Sequence, residues 1–354
     1  MINKLQSKLV YLSDTKFGIL IFILALIRVG VSPIGTEWLD WLFKASEAYP
    51  KTESYLSYSP LPILLSKLLQ INNYFVWWAL FTAILLISVI LTLIVIKQIF
   101  KNHYREVQII FLMSPMVGVN FTMIGHYDNL FMIGVILQTL TSHNLIVTLA
   151  AIISTGANPN LALASGLILL IMGMGGRRKQ IITHASIWIA ISFFTLLANS
   201  LLLEVPESGT RESIVLGQLS FTLKGVAGKW YLDILSIYGP LAVVFLYSIL
   251  RPASFFSQLK PINRFLIVFG LFILPSSMSL LILDHTRIGV AAVTAALFLY
   301  LKIEFNHTNF TDIKEGKSYA LSILFIIWLC TPPIIIDSGG VLRLPYEKFL
   351  NLFV

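Results

Sequence analysis

The sequence predicts an all-α polytopic membrane protein with about eleven transmembrane helices, and three observations lead to this prediction. First, 57% of the 354 residues are hydrophobic and 12% are charged, whereas about 25% of the residues of a soluble protein are charged. Second, apolar stretches of about 18 to 20 residues recur along the whole chain. Third, lysine and arginine concentrate in alternate connections between these stretches.

The predicted spans form a single transmembrane domain over 1–354, because no stretch has the composition of a separate soluble domain. The first span follows a basic N-terminal segment without a small-residue cleavage site, so we expect it to remain uncleaved. The spans cover 17–34, 73–97, 107–121, 128–141, 145–157, 159–174, 181–203, 231–250, 264–283, 288–302 and 318–336.

The positions of the basic residues predict the orientation. With the N-terminus in the cytoplasm, the basic segments KQIFKNHYRE, GGRRKQ, RPASFFSQLKPINR and KIEFNHTNFTDIKEGK all face inward. The net charge of +8 therefore reflects membrane topology, and no nucleic-acid partner is predicted. The single cysteine, Cys330, excludes an internal disulfide and a metal site of several cysteines.

The first outer connection, about 35–72, contains the segment GTEWLDWLFKASEAYP. Its apolar residues predict an interfacial helix that lies on the bilayer. They are Trp38, Leu39, Trp41, Leu42 and Phe43. On the same helix, Glu37 and Asp40 have two interpretations: they form its solvated side, or one of them is a general base held at the membrane surface.

Most of the noteworthy polar residues fall at the outer ends of the predicted spans. Ionisable residues at mid-membrane depth are almost absent, unlike in ion-coupled carriers. Chemistry or binding is therefore expected at the outer interface. The residues that gather there include Glu37, Asp40, Tyr58, His126, Asp128, Asn158, Lys224, Lys229, Asp284, His285 and Arg287.

Three outer segments have the pattern of a helix start. In YSPLP, Ser59 is the expected cap before Pro60, and in NPN, Asn158 is the expected cap before Pro159. After GHY, Asp128 is expected to cap the next span. Helix starts that converge on one face predict an anion site, particularly for phosphate.

Four basic side chains could complete this anion site, namely Lys224, Lys229, His285 and Arg287. The segment DHTR has a second interpretation, in which Asp284 and Arg287 pair at a helix end. His126 and Asp128 likewise could form a simple polar contact at the interface.

The order of these motifs resembles the GT-C superfamily of membrane glycosyltransferases. It is most similar to the branch containing GPI mannosyltransferase I and bacterial polyprenyl-phosphate-sugar mannosyltransferases. The family's Tyr-Pro-Pro-Leu or Tyr-Thr-Pro-Leu element is matched by residues 58–61, and its Gly-X-X-Asp element by Gly125 and Asp128. Its Lys-Pro element is matched loosely by Asn158 and Pro159.

The resemblance covers 17–175, which would be the catalytic module, while 176–354 would supply further helices of the same domain. This chain departs from the family's pattern at two positions. The family's first-loop base is an aspartate, but here Glu37 comes first and Asp40 follows. The family's lysine before the proline is Asn158 here, so other residues would have to contact the phosphate.

The resemblance implies that a sugar, with mannose favoured, moves with inversion from a polyprenyl-phosphate donor to a lipid-linked or glycan acceptor. Glu37 or Asp40 would be the base, and Asp128 would orient the reactants together with His126. The residues expected to bind substrate or phosphate are Tyr58, His126, Asn158, Lys224, Lys229, His285 and Arg287. No cofactor is predicted, and a divalent metal is left open.

Two other functions fit the same topology. One is a flippase or carrier of lipid-linked sugars, which predicts polar residues through the depth of the bilayer. The other is a glycan polymerase of the O-antigen type, which predicts large outer loops with several arginines. The small chain favours a plasma (inner) membrane over the endoplasmic reticulum, with membrane lipids as constant partners.

Overall fold

The structure is a computed structural model, and its helices are named here in chain order. It describes residues 14–29, 31, 33–51, 58–100, 104–176, 178–203, 217, 234, 236–239, 242, 245–246, 258–280, 285–307, 335–336 and 342–343.

Helices make up nearly all of the described chain. The first group is α1 (Asp14–Val29), α2 (Thr36–Ala48), α3 (Pro60–Leu68), α4 (Tyr74–Ile99), α5 (Tyr104–Met113) and α6 (Pro115–Thr122). The second group is α7 (Asp128–Leu140), α8 (Asn144–Ala157), α9 (Pro159–Gly175) and α10 (Lys179–Leu202). The last group is α11 (Pro261–Val268), a π-helical segment (Phe269–Ile273), α12 (Leu274–Leu280) and α13 (His285–His307).

Helices cover most of the predicted spans from 17–34 to 181–203, as well as 264–283 and 288–302, so the helical prediction is confirmed for these spans. Most of the predicted spans 231–250 and 318–336 lies outside the described residues. The structure differs from the prediction in two of the spans. The span predicted over 107–121 breaks into α5 and α6 at Ser114, because Pro115 cannot donate a backbone hydrogen bond within a helix. Ile335–Ile336, predicted to end the last span, pair antiparallel with Leu342–Arg343.

Two of the described helices, α4 and α10, are long and apolar enough to cross a membrane. Only 28% and 22% of the residues in their most apolar stretches are buried, respectively. A core helix of a soluble protein would be mostly buried, whereas these helices expose large apolar side chains, which indicates membrane association. On α4 they include Ile87, Ile90, Leu91 and Ile94, and on α10 they include Phe193, Phe194, Leu201 and Leu202.

Helices α7 to α10 run up and down with short connections and pack closely. The closest approach is between α7 and α8, where a Cβ added to Gly134 would lie 1.8 Å from the Ser154 Oγ and 2.5 Å from the Ala150 carbonyl oxygen. Helices α9 and α10 meet at Gly166, where an added Cβ would lie 2.8 Å from Ile189. Helix α13 packs against α7 and α9 from the other side.

Helix α2 forms where the sequence predicts an interfacial helix, but its apolar face does not lie free for lipid. Leu39, Leu42 and Phe43 are buried in the core of the protein. The helix packs on α3, and the Phe43 ring meets the Trp77 ring of α4 edge-on at 5.9 Å. The lipid contact predicted for these three residues is therefore wrong, because an apolar stripe shows that a helix face is covered but not what covers it. Trp41 is 59% exposed, and its lipid contact stays a prediction.

Candidate functional site

The starts of α3, α7 and α9 converge at one end of the bundle, called the site end below. The Ser59 hydroxyl, just before α3, lies 3.5 Å from the Tyr127 hydroxyl, just before α7. A Cβ added to Gly156, near the start of α9, would lie 3.0 Å from the Cβ of Leu61 on α3. The sequence predicts that the helices starting at YSPLP, at NPN and at Asp128 begin on one face, and these helix starts do lie together in the structure.

The three helix starts are capped in different ways. Asn158 caps α9 as predicted, since its side-chain oxygen accepts the backbone N–H of Leu161 at 3.3 Å. Ser59 precedes Pro60 as predicted, but its hydroxyl makes no cap hydrogen bond and lies instead near Tyr127. The predicted cap at Asp128 is wrong by one residue, because Tyr127 ends the preceding turn and Asp128 is the first residue of α7.

The segment before α7 is held on two sides by backbone contacts. The Ile34 N–H donates to the Ile124 carbonyl oxygen at 2.9 Å, and the Trp77 Nε1 donates to the Gly125 carbonyl oxygen at 2.7 Å. Gly125 has a φ of +98°, which glycine adopts far more readily than other residues. These contacts fix the turn that presents His126 and Asp128.

His126 and Asp128 form a buried pair at the centre of the site end. The His126 Nδ1 lies 3.4 Å from the Asp128 Oδ1 and 3.3 Å from the backbone N of Asp128. A neutral Nδ1 can accept that backbone N–H, whereas a protonated Nδ1 can donate to the carboxylate. The histidine therefore has a hydrogen-bond partner in both protonation states.

Aromatic rings from α2 cover this pair. The ring of Trp38 lies 4.9 Å from the His126 ring and 5.3 Å from the Tyr127 ring, measured between centroids. The His126 and Tyr127 rings are 4.6 Å apart. Helix α2 therefore lies over the helix starts, and the acidic residues it carries belong to the same end of the molecule.

The two candidate bases on α2 have different surroundings. Asp40 is partly buried and accepts a hydrogen bond from the Tyr74 hydroxyl at the start of α4. The Tyr74 ring also stacks on Phe43 at 5.8 Å. Glu37 is exposed on the outer side of α2, as its interpretation as a solvated residue predicts. Asp40 is thus held in one orientation, whereas Glu37 faces open space.

Tyr58 and Asn158 lie at this end as predicted, and the Tyr58 carbonyl oxygen accepts the Asn199 Nδ2–H at 3.0 Å. The side chains of the four basic residues predicted to complete the anion site are not among those that the structure describes. Lys224 and Lys229 lie outside the described residues. His285 and Arg287 fall in the first turn of α13, and their side chains lie outside the described part of the structure.

No group of three His, Cys, Asp or Glu side chains that could hold a metal ion occurs among the described residues. The prediction of no cofactor, with a divalent metal left open, therefore stays a prediction.

Sequence reasoning missed the roles of Tyr74 and Asn199. Tyr74 is the first residue of an apolar helix and looks like an ordinary interfacial aromatic. Asn199 is a polar residue near the end of α10, and its partner lies 141 positions earlier in the chain. No local pattern connects two residues so far apart, so only the fold reveals these contacts.

The buried face of α10 is more polar than the sequence reading predicts. It carries His184, Trp188, Ser192 and Asn199, which span about 22 Å along the helix. The His184 Nε2 lies 3.1 Å from the Asn144 Oδ1, and the Ser192 hydroxyl lies 3.1 Å from the Thr155 hydroxyl. Polar side chains therefore do extend from one end of the bundle to the other, and they escape a search for ionisable groups because most are neutral.

Protein families, curated proteins and solved structures were compared with the chain, and none of them matches it.

Proposed function

We propose that the protein is a multi-pass membrane glycosyltransferase that moves a sugar, with mannose favoured, from a polyprenyl-phosphate donor to a lipid-linked or glycan acceptor. The reaction would take place at the outer face, where the site end would lie. The acceptor hydroxyl would attack the anomeric carbon, the bond from that carbon to the phosphate oxygen would break, and the configuration would invert. A carboxylate would take the hydroxyl proton, and polyprenyl phosphate would leave.

The convergence of three helix starts around the buried His126–Asp128 pair is the observation that supports this proposal. Helix starts stabilise anions through their free N–H groups and their dipoles. The carboxylate of Asp128 already occupies the start of α7, so a phosphate would be directed to the starts of α3 and α9. Asp128 and His126 are better suited to accept hydrogen bonds from sugar or acceptor hydroxyls.

Helix α2 supplies the candidate base. Asp40 is favoured over Glu37 because Tyr74 holds its carboxylate in one orientation, and a preorganised group loses less freedom during the reaction. Glu37 stays as the second candidate, since it is one turn away on the same helix and is accessible from water.

Two features support the multi-pass membrane part of the proposal. Apolar side chains are exposed along α4 and α10, and such surfaces are stable in contact with lipid. Gly134 and Gly166 also allow neighbouring helices to approach closely, and small residues are enriched where membrane helices pack.

A transfer assay tests the proposal with purified protein in detergent. Radiolabelled polyprenyl-phosphate mannose and polyprenyl-phosphate glucose are the donors, and a cell lipid extract provides the acceptor. We expect Asp40→Asn to slow transfer by about 10²- to 10⁴-fold without loss of donor binding, because loss of a general base affects the chemical step. Glu37→Gln tests the second candidate.

Glu47→Gln is the matched control for this assay, because Glu47 is an exposed carboxylate two turns further along the same helix. It should transfer at the wild-type rate. Equal rates for Asp40→Asn, Glu37→Gln and the wild type would reject the proposed base, and absence of both transfer and donor binding would reject the transferase.

A carrier of lipid-linked sugar is the second candidate, and the polar buried face of α10 favours it. At the end of the bundle opposite the site end, a groove of about 500 Å³ is lined by Ser142, His143, Asn144, Gln180 and Thr183. In liposomes, a carrier would move the labelled donor between leaflets in wild type and Asp40→Asn alike. A transferase would form product that depends on the base.

A further inference from the structure

Helix α3 has one face packed into the protein and one exposed face that is mostly apolar. Pro62, Ile63 and Ser66 are buried against the neighbouring helices. The opposite face exposes Leu64 and Leu68, and Leu68 is 79% exposed. In water, Leu64 and Leu68 of this nine-residue helix would therefore be exposed to solvent.

A short connection joins the exposed apolar surface of α3 to that of α4, and Gln70, Asn72 and Asn73 in this connection are exposed and polar. Leu69 follows α3 directly, and Phe75 and Val76 lie in the first turn of α4 with large exposed fractions, 77% for Phe75. Further along α4, Ile87, Ile90 and Ile94 are exposed as well. We name the set Leu64, Leu68, Leu69, Phe75 and Val76 the α3 edge.

We infer that the α3 edge is inserted into the bilayer, with α3 lying in the membrane surface at the margin of the site end. This inference rests on the membrane part of the proposed function. The occupant is lipid because Phe75 and Val76 of the α3 edge belong to the exposed apolar face of α4, a helix long and apolar enough to span the bilayer. Lys67 is exposed beside these leucines, and its long side chain can carry its charge to the headgroups.

Helix α2 does not provide an equivalent surface. Its apolar residues Leu39 and Leu42 are buried, and its exposed face carries Glu37, Lys44 and Glu47 around one large apolar side chain, Trp41, which is 59% exposed. The larger exposed apolar surface of the first loop is therefore on α3. Because α3 begins at Ser59, beside Tyr127, its insertion sets the height of the site end relative to the lipid headgroups.

Spin labelling in liposomes tests this inference on the full chain. Cys330→Ser removes the single native cysteine, and one cysteine is then introduced in each variant at Leu68, Ile90 or Lys44. Each label is measured for collisions with oxygen, which concentrates in lipid, and with a water-soluble nickel chelate. We expect the Leu68 label to collide several-fold more with oxygen, relative to nickel, than the Lys44 label does.

Ile90 separates this inference from the membrane proposal, because it lies midway along α4 on the exposed face. Preferential oxygen contact at both Leu68 and Ile90 supports the inference. If Ile90 contacts oxygen while Leu68 contacts nickel like Lys44, α3 lies in water and the inference is wrong, but the membrane proposal stands. Nickel contact at Ile90 overturns both.

A second copy of the chain on the α3 edge would give a different result. The Leu68 label would then be immobilised and protected from both reagents, and this outcome also overturns the inference. A variant labelled at Leu69 repeats the measurement if the Leu68 variant does not fold.

Discussion

At the scale of single residues, Gly125 controls how the site end is built. Its carbonyl oxygen accepts the Trp77 indole N–H, and its neighbour Ile124 binds the backbone of Ile34. Its positive φ of +98° turns the chain so that His126 and Asp128 face the same side. The requirement for glycine is therefore conformational, and the chemistry lies in the residues that follow it.

Substitution of Gly125 by alanine should destabilise the protein. The left-handed backbone alone costs about 1–2 kcal/mol for an alanine, and the new Cβ would lie 2.7 Å from the Trp78 Cδ1. Thermal unfolding in detergent would measure the loss. Gly35→Ala is the control, because an added Cβ there meets nothing within 4 Å and its φ of −64° suits any residue. Equal stability of the two variants would contradict the role assigned to Gly125.

At the scale of helices, the site end depends on caps and close packing that hold the helix starts in place. Asn158 orders the start of α9, and the contact of Gly134 with Ser154 sets the separation of α7 and α8. Asn158 lies in the connection between α8 and α9, and Gly134 lies in the interface between α7 and α8. Changes there should alter the geometry of the site end without touching Asp40 or Asp128.

Loss of the cap at Asn158 should destabilise α9. Asn158→Ala removes the oxygen that accepts the Leu161 N–H, which costs about 1 kcal/mol. Asn158→Ser restores a capping oxygen and should recover most of that loss. Chemical unfolding of both variants measures the difference. If serine destabilises as much as alanine, the cap is not what stabilises this helix start.

Gly134→Ala should force α7 and α8 apart. The added Cβ would overlap the Ser154 hydroxyl and the Ala150 carbonyl oxygen, and overpacking of this kind costs about 1–3 kcal/mol. Gly173→Ala is the matched control in α9, since there the nearest atoms are farther away: the Ile181 Cγ2 at 3.0 Å, the Ile182 Cγ1 at 3.2 Å and the Ile182 backbone N at 3.3 Å. Gly173→Ala should therefore unfold at a higher temperature than Gly134→Ala. The reverse order would show that the α7–α8 interface adapts.

At the scale of the whole molecule, the sequence predicts the helices well because their signals are local. Apolar runs and the Asn158–Pro159 pair mark the bounds of helices such as α9 to within a residue or two. The contacts of the site end are less predictable, because they join distant parts of the chain. Trp38 packs on His126, Tyr74 binds Asp40, and the apolar face of α2 is covered by protein, and each of these depends on packing rather than on a pattern.

The contacts of the site end also differ in when their residues are synthesised. The bridge from Ile34 to Ile124, the contact of Trp38 with His126 and the contact of Leu61 with Gly156 all join residues in the first half of the chain. Among the contacts described above for the site end, the bond from Asn199 to Tyr58 is the one that comes from a later helix. Since a ribosome releases the N-terminal half first, these contacts can form while α11 to α13 are still being synthesised, and the arrival of α10 would then lock them.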